Sequence, residues 1–192
     1  VVGDMVEYRI HATDSSSSSN QTMDPTSGYY SSEIISQLPA LVLKFDTSSS
    51  ATTLAAALEA SLGVAPAVST SMPTGLSLYE SVWVCLGMYG AGNHSLSGAE
   101  GDALTAFMNA GGRVYMEGGD TWYYDEVSPV HPYFHISGVE DGGSDLSYVA
   151  GEEGTIFAGL DFSYSGGNNW IDHLQPTSGA EIILRNKTLN YG

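Results

Sequence analysis

The 192 residues carry 22 Asp and Glu against 5 Lys and Arg, a formal charge of −17, and a single cysteine. Five cations, Arg9, Lys44, Arg113, Arg185 and Lys187, are too few to meet a run of phosphates, which excludes nucleic-acid binding and disfavours anionic membrane surfaces. One cysteine excludes an internal disulfide framework and a cysteine-based zinc site, and no apolar run reaches the length of a membrane span.

In chain order, residues 6–12 alternate as a half-exposed strand with Val6, Tyr8 and Ile10 on one face. Residues 14–20, Asp followed by five Ser and Asn, are too polar to pack and predict a loop. Residues 24–28 read as a turn, and 29–35 as a returning strand. Two strands alone are barely stable in water. Residues 1–38 are therefore expected to be the end of a β-sandwich module or an added edge, joined to the rest through the Leu38-Pro39 hinge.

Residues 40–45 form the first apolar strand of the main domain, and residues 46–50 cross its carboxyl end. A helix follows from Thr52 or Thr53 to Leu62, ended by Gly63, and residues 64–68 predict a strand that Pro66 confines to an edge. Residues 81–86 are a short apolar run of the kind buried on both faces. After a Gly-rich loop, Ser97 and Glu100 form a capping box, and Ala99, Ala103, Leu104, Phe107 and Ala110 repeat at helical spacing. Gly111-Gly112 ends that helix, and residues 114–116 make a strand closed by Gly118-Gly119-Asp120. Beyond it, residues 129–135 suggest a short helix, 155–157 and 181–184 suggest strands, and 159–170 an aromatic, Gly-rich connection. Alternating strands and helices predict an α/β domain over residues 39–192, with a mainly parallel sheet flanked by helices. Ligand sites on such sheets lie beyond the carboxyl ends of the strands.

The stretches YESVWVCLG (79–87), LSGAEGDALTAFMNAGGRVYMEGGD (96–120) and GLDFSYSGGNNWIDHLQPTSGAEIIL (159–184) together resemble the class I glutamine amidotransferase-like fold, a flavodoxin-like architecture. More narrowly, they resemble its divergent copies in large secreted bacterial multidomain proteins. Trehalose-utilisation-protein-like domains share the layout, and residues 3–34 are similar to the last strands of the β-sandwich modules that precede such domains. The resemblance spans about residues 40 to 185. It implies a nucleophile elbow after the strand at 114–116, on Glu117, Gly118 and Gly119, none of them Cys, Ser or Thr. The family's later His-x-Glu pair is met only by His173-Leu174-Gln175, which lacks the carboxylate. What the resemblance implies is the architecture without its thiol chemistry.

Cys85 is the competing nucleophile, with His94 or His173 as base, because its surroundings superficially resemble the family's elbow. Trp83 stands where such an elbow needs Gly, and an apolar run makes a thiol inert. His131 and His135 lie at i and i+4 and, with Glu126, have a metal-ligand spacing, but Pro132 follows the first His where a metalloprotease needs Glu. Glu117, Gly118, Gly119, Asp120, Trp122 and Asp125 gather acids, glycines and an aromatic wall at a strand end, suited to a sugar or a cation. The acidic loops Asp14/Asp24 and Asp141/Asp145 offer oxygens to calcium without EF-hand spacing and read first as turns. Asn20, Asn93 and Asn186 head glycosylation sequons.

The sequence thus predicts a non-catalytic scaffold, spacer or binding module of an extracellular or cell-surface protein. No cofactor is expected, with calcium the alternative. Its expected partners are neighbouring domains of the same polypeptide, other copies of itself, or a glycan, with no nucleic acid and no membrane insertion. The acidic, Lys-poor surface fits that setting. An export signal is expected upstream of Val1, and a further closing element beyond Gly192.

Overall fold

The computed structural model describes residues 5–33, 37–90 and 92–192, and the chain divides into two compact units, Val1–Gln37 and Leu38–Gly192. In the first, β1 (Met5–Tyr8) pairs antiparallel with β4 (Tyr30–Glu33), and β2 (Ile10–Thr13) with β3 (Gln21–Asp24). The single strand expected over residues 6–12 therefore breaks at Arg9, where residues 25–29 bulge from the returning chain. A further strand, β3, fills the gap between the expected loop at 14–20 and the expected turn at 24–28. Residues 34 and 35 of the expected returning strand lie outside the described residues. Val6, Tyr8 and Ile10 are all exposed, so this ribbon buries none of the face they were expected to share.

The second unit opens with β5 (Leu41–Lys44), α1 (Ser50–Leu62), β6 (Ala67–Ser69), β7 (Ser81–Cys85), α2 (Gly98–Asn109) and β8 (Arg113–Glu117). The four strands form one parallel sheet in the order β6-β5-β7-β8. Alternation along the strands divides the core into two layers. Leu41, Leu43, Val82, Val84 and Leu86 pack with Leu104 and Phe107 of α2. Ala40, Val42 and Cys85 pack with Ala51 and Leu58 of α1. Both faces of the sheet are covered, which is why β5 and β7 read as uninterrupted apolar runs. Ser97 caps α2 in the expected box, accepting from the Glu100 N–H while the Glu100 carboxylate takes the Ser97 N–H at 2.8 Å. Of the expected stripe, Leu104 and Phe107 are buried and Ala103 packs against the core, while Ala99 and Ala110 at its ends are exposed and Gly101 faces inward in addition. Helix α1 starts at Ser50, earlier than expected, and ends at Gly63 in the left-handed conformation (φ 71°). The edge strand is Ala67–Ser69 rather than 64–68 because Pro66 cannot donate to a ladder.

The remainder is antiparallel. β9 (Ile136–Gly143) pairs with β12 (Asn169–Pro176), and β10 (Tyr148–Gly151) lies between β11 (Asp161–Ser163) and β13 (Leu184–Asn186). The parallel sheet is thus one part of a mixed α/β unit with two α-helices among the described residues. The helix expected over residues 129–135 is a single 3₁₀ turn at His131–Phe134. The strand expected at 155–157 is a turn closed by Thr155 Oγ1 donating to the Glu152 carbonyl at 2.8 Å. The one expected at 181–184 begins only at Leu184. This layer buries little carbon and is tied by polar contacts: the Asp172 N–H donates to the Gly119 carbonyl at 2.7 Å, and the Leu146 N–H to Asn168 Oδ1 at 2.9 Å.

Candidate functional site

The carboxyl ends of β5, β7 and β8 open into a cleft of about 430 Å³. On one side β5 runs out into Asp46, 5 % exposed, whose Oδ2 accepts the Ser48 N–H at 3.1 Å and the Ser48 hydroxyl; its Oδ1 is buried without a partner. Ser48 Oγ in turn accepts the Ser50 N–H at 3.0 Å. The amino end of α1, whose first N–H groups lack helical partners, is thereby tied to the strand before it. Across the cleft, Glu117 ends β8. Its carboxylate accepts the hydroxyl of Ser50 on one oxygen and that of Tyr115 on the other, at 2.8 Å. A carboxylate at the amino end of a 13-residue helix is favoured by the helix dipole.

Gly118 and Gly119 form the floor because nothing larger fits. A Cβ on Gly118 would overlap Thr121 Oγ1, and one on Gly119 would stand 2.7 Å from Met88 Cβ. The far wall comes from the antiparallel layer, through Tyr164 and Gly167, whose carbonyl accepts the Tyr164 hydroxyl at 2.8 Å. Burial and then Glu117 raise the Tyr164 phenol above its ordinary range, keeping it a neutral hydrogen-bonding group. The result is a hydroxyl-rich cleft with two carboxylates and no Lys or Arg in its lining.

The residues singled out in the sequence separate. Glu117, Gly118 and Gly119 line this cleft. Asp120 turns away, accepting the Tyr89 N–H at 2.8 Å, and lines a second cavity with Tyr89, Tyr124, Asp141 and Trp170. Trp122 packs edge-on against His131 (4.9 Å) and Phe134 (5.4 Å), and Asp125 accepts from Asn93 at 3.3 Å. Asp46, the three serines and Tyr164 were not singled out. The rule that sites follow strand carboxyl ends points to Asp46 and its neighbours, whereas Tyr164 carries no local signal.

Cys85 is fully buried beneath α1, and burial first, then Glu117, push its thiol well above the ordinary range. His94 stacks on Phe45 at 4.4 Å and pairs with Glu100 at 3.2 Å. His173 stacks on Tyr191 at 4.4 Å and lies between Asp145 (3.1 Å) and Glu140 (3.4 Å). Neither imidazole has the thiol among its partners. His131 is buried with both nitrogens engaged: Nδ1 accepts the Ser128 N–H at 3.0 Å, so Nε2 carries the proton and donates to the Thr121 carbonyl at 2.8 Å. His135 adopts a left-handed conformation (φ 54°) at the end of the 3₁₀ turn, and Glu126 is exposed. Among the described residues, no three His, Cys, Asp or Glu side chains gather as a metal's ligands would, and no helix is long and apolar enough to cross a membrane. No protein-family model, curated protein or solved structure matches the chain.

Proposed function

We propose that residues 38–192 are a flavodoxin-like, amidotransferase-like unit of an exported protein that binds a ligand and carries out no thiol chemistry. The preferred ligand is a neutral, hydroxyl-rich molecule such as a carbohydrate. The observation that carries this reading is the carboxyl-edge cleft itself. Where the resemblance puts a nucleophile there is Glu117, its charge held by Ser50 and the amino end of α1. Around it stand serine hydroxyls, the Asp46 carboxylate and the neutral Tyr164 phenol, a mix of fixed acceptors and rotatable donors of the kind that satisfies sugar hydroxyls. Glycine floors let a ring approach the backbone closely. An anionic ligand would meet carboxylates on both sides and is disfavoured.

The test is a glycan and polyol panel followed by backbone amide NMR on the intact chain. A binder should shift the resonances of Gly118, Gly119 and Ser50, and Glu117→Gln should weaken it. No shift at these positions with any member of the panel would overturn the reading. So would an amidase or hydrolase activity that Cys85→Ala abolishes.

A further inference from the structure

The second cavity, about 300 Å³, is lined by Tyr89, Asp120, Tyr124, Asp141 and Trp170. It is separate in composition from the carboxyl-edge cleft, with which it shares no lining residue. Its three rings are unusually accessible for their size: Tyr89 is 64 % exposed, Tyr124 72 % and Trp170 44 %. Large aromatic faces left in solvent around a concavity are costly unless something covers them.

The carboxylates are the reverse: Asp120 is 3 % exposed, and the Asp141 Oδ1 is buried without a hydrogen-bond partner. Behind Asp141 stands its cross-strand neighbour Asp172, 5 % exposed, again with a partnerless Oδ1. No Lys or Arg side chain partners Asp120, Asp141 or Asp172 in any ion pair among the described residues. The cavity therefore concentrates negative charge, leaves one oxygen of Asp141 unsatisfied and is lined for the rest by three exposed aromatic rings. These carboxylates do not converge as the six to eight oxygens of a calcium site do. Aromatic faces attract cations through the ring quadrupole, and most strongly cations that shed water readily.

We propose that this cavity binds an organic ammonium ion, of the size of choline or a methylated lysine side chain, between the rings of Tyr89, Tyr124 and Trp170 and the carboxylates of Asp120 and Asp141. A free small molecule and a methylated lysine on another protein present the same group. Burial first, and then the charges of Asp172, Asp125 and Asp141, raise the Asp120 carboxyl above the ordinary range. A bound cation favours the ionised form. Binding therefore releases protons, and affinity increases as pH rises through the carboxylate range.

The experiment titrates the 192-residue chain with choline, with its neutral isostere 3,3-dimethylbutan-1-ol, with a trimethyl-lysine peptide and with calcium. The readout is the Trp170 indole N–H resonance, assigned through Trp170→Phe. Choline or the peptide should shift it and the neutral isostere should not; choline alone points to a free metabolite, the peptide alone to a modified protein. Tyr124→Ala, at an exposed position that leaves melting unchanged, should weaken binding about threefold or more. Asp141→Asn should weaken it further. Equal binding of the isostere, binding of calcium without either ammonium compound, no shift with any titrant, or full affinity in Tyr124→Ala would each overturn the proposal.

Discussion

Replacing glycine by alanine inside a helix ordinarily stabilises it by about 1 kcal/mol, because glycine has more backbone freedom to lose. In α2 the sign should reverse at Gly101. A Cβ there would stand 2.7 Å from Pro129 Cδ, 2.9 Å from Ser128 Oγ and 3.0 Å from Pro129 N, about 1 Å inside comfortable carbon contact. Two of those atoms belong to the proline's ring and backbone, which no rotamer change can move. Nor can the loop withdraw freely, because His131 holds the Ser128 N–H on one side and the Thr121 carbonyl on the other. Overpacking of this kind costs about 1–3 kcal/mol. Against the propensity gain, Gly101→Ala should be net destabilising by roughly 1 kcal/mol, a fall in melting temperature of about 2–4 °C for a chain of this size. Gly98→Ala in the same helix meets nothing within 4 Å and should hold or raise stability. Urea titration and thermal melts of the two variants give the comparison. If Gly101→Ala melts at or above the parent protein, the close approach of α2 to residues 128–129 is not as described.

Ser97→Ala removes the capping box of α2 and should cost about 1 kcal/mol in urea unfolding, whereas Ser97→Gly, which leaves the N-cap backbone and its amide free to be solvated, should cost only a few tenths. Burial first, then the Asp141 and Asp125 charges, raise the Asp172 carboxyl, although the Tyr123 and Trp122 N–H groups oppose them. The folded state therefore keeps a proton that the unfolded chain has released. The stability from this group is present below the ordinary aspartate range and lost as pH rises through the higher folded value. Asp172→Asn, whose amide oxygen can still accept both N–H groups, should be more stable than the parent near neutral pH and should flatten that slope in pH-dependent melts. Asp145 behaves oppositely: burial works against ionisation, but His173 and the Gly143 N–H outweigh it and lower its carboxyl. Asp145→Asn should lose stability near neutral pH and converge with the parent as pH falls. Finally, a thiol reagent near neutral pH should leave Cys85 unmodified in the native chain and modify it fully in denaturant, as read by mass; rapid native labelling would contradict its burial.

The parallel half was legible because its signals are local. Apolar runs bounded by turn residues marked β5 and β7, Ser97 and Glu100 started α2, and Gly63 ended α1 within a residue or two of the observed bounds. The middle of the buried stripe of α2, Ala103, Leu104 and Phe107, is legible in the spacing, whereas Gly101, which has no side chain to register as apolar, is not, although it packs against Pro129. The antiparallel half was illegible for a related reason. β9 ends in Gly142 and Gly143, which read as loop, and it contains Gly138, where a Cβ would overlap the Trp122 backbone, so the strand can approach residues 122–123 only with glycine there. Only Asn169 and Trp170 of β12 fall within the expected connection at 159–170, and the rest gives no strand signal because its partner lies some thirty residues away and its buried positions are Asp172 and His173 rather than carbon. The same long separations explain why the sequence grouped Glu117, Asp120 and Asp125 as one acidic site. Their nearness along the chain was visible, but the turn that sends Asp120 away from Glu117 depends on contacts with Tyr89 and Asp172.

The amino-terminal ribbon has a consequence of its own. Each of its strands is hydrogen-bonded along one margin only among the described residues, and Met5, Tyr8 and Ile10 are each more than half exposed. Natural sheets usually guard such margins with lysine, and between Met5 and Glu33 the sole cation is Arg9. Self-association by strand addition is then opposed mainly by mutual repulsion of a strongly anionic chain. Raising ionic strength should weaken that repulsion and let ribbons zip together, making salt the agent that turns a dispersed solution into an aggregating one.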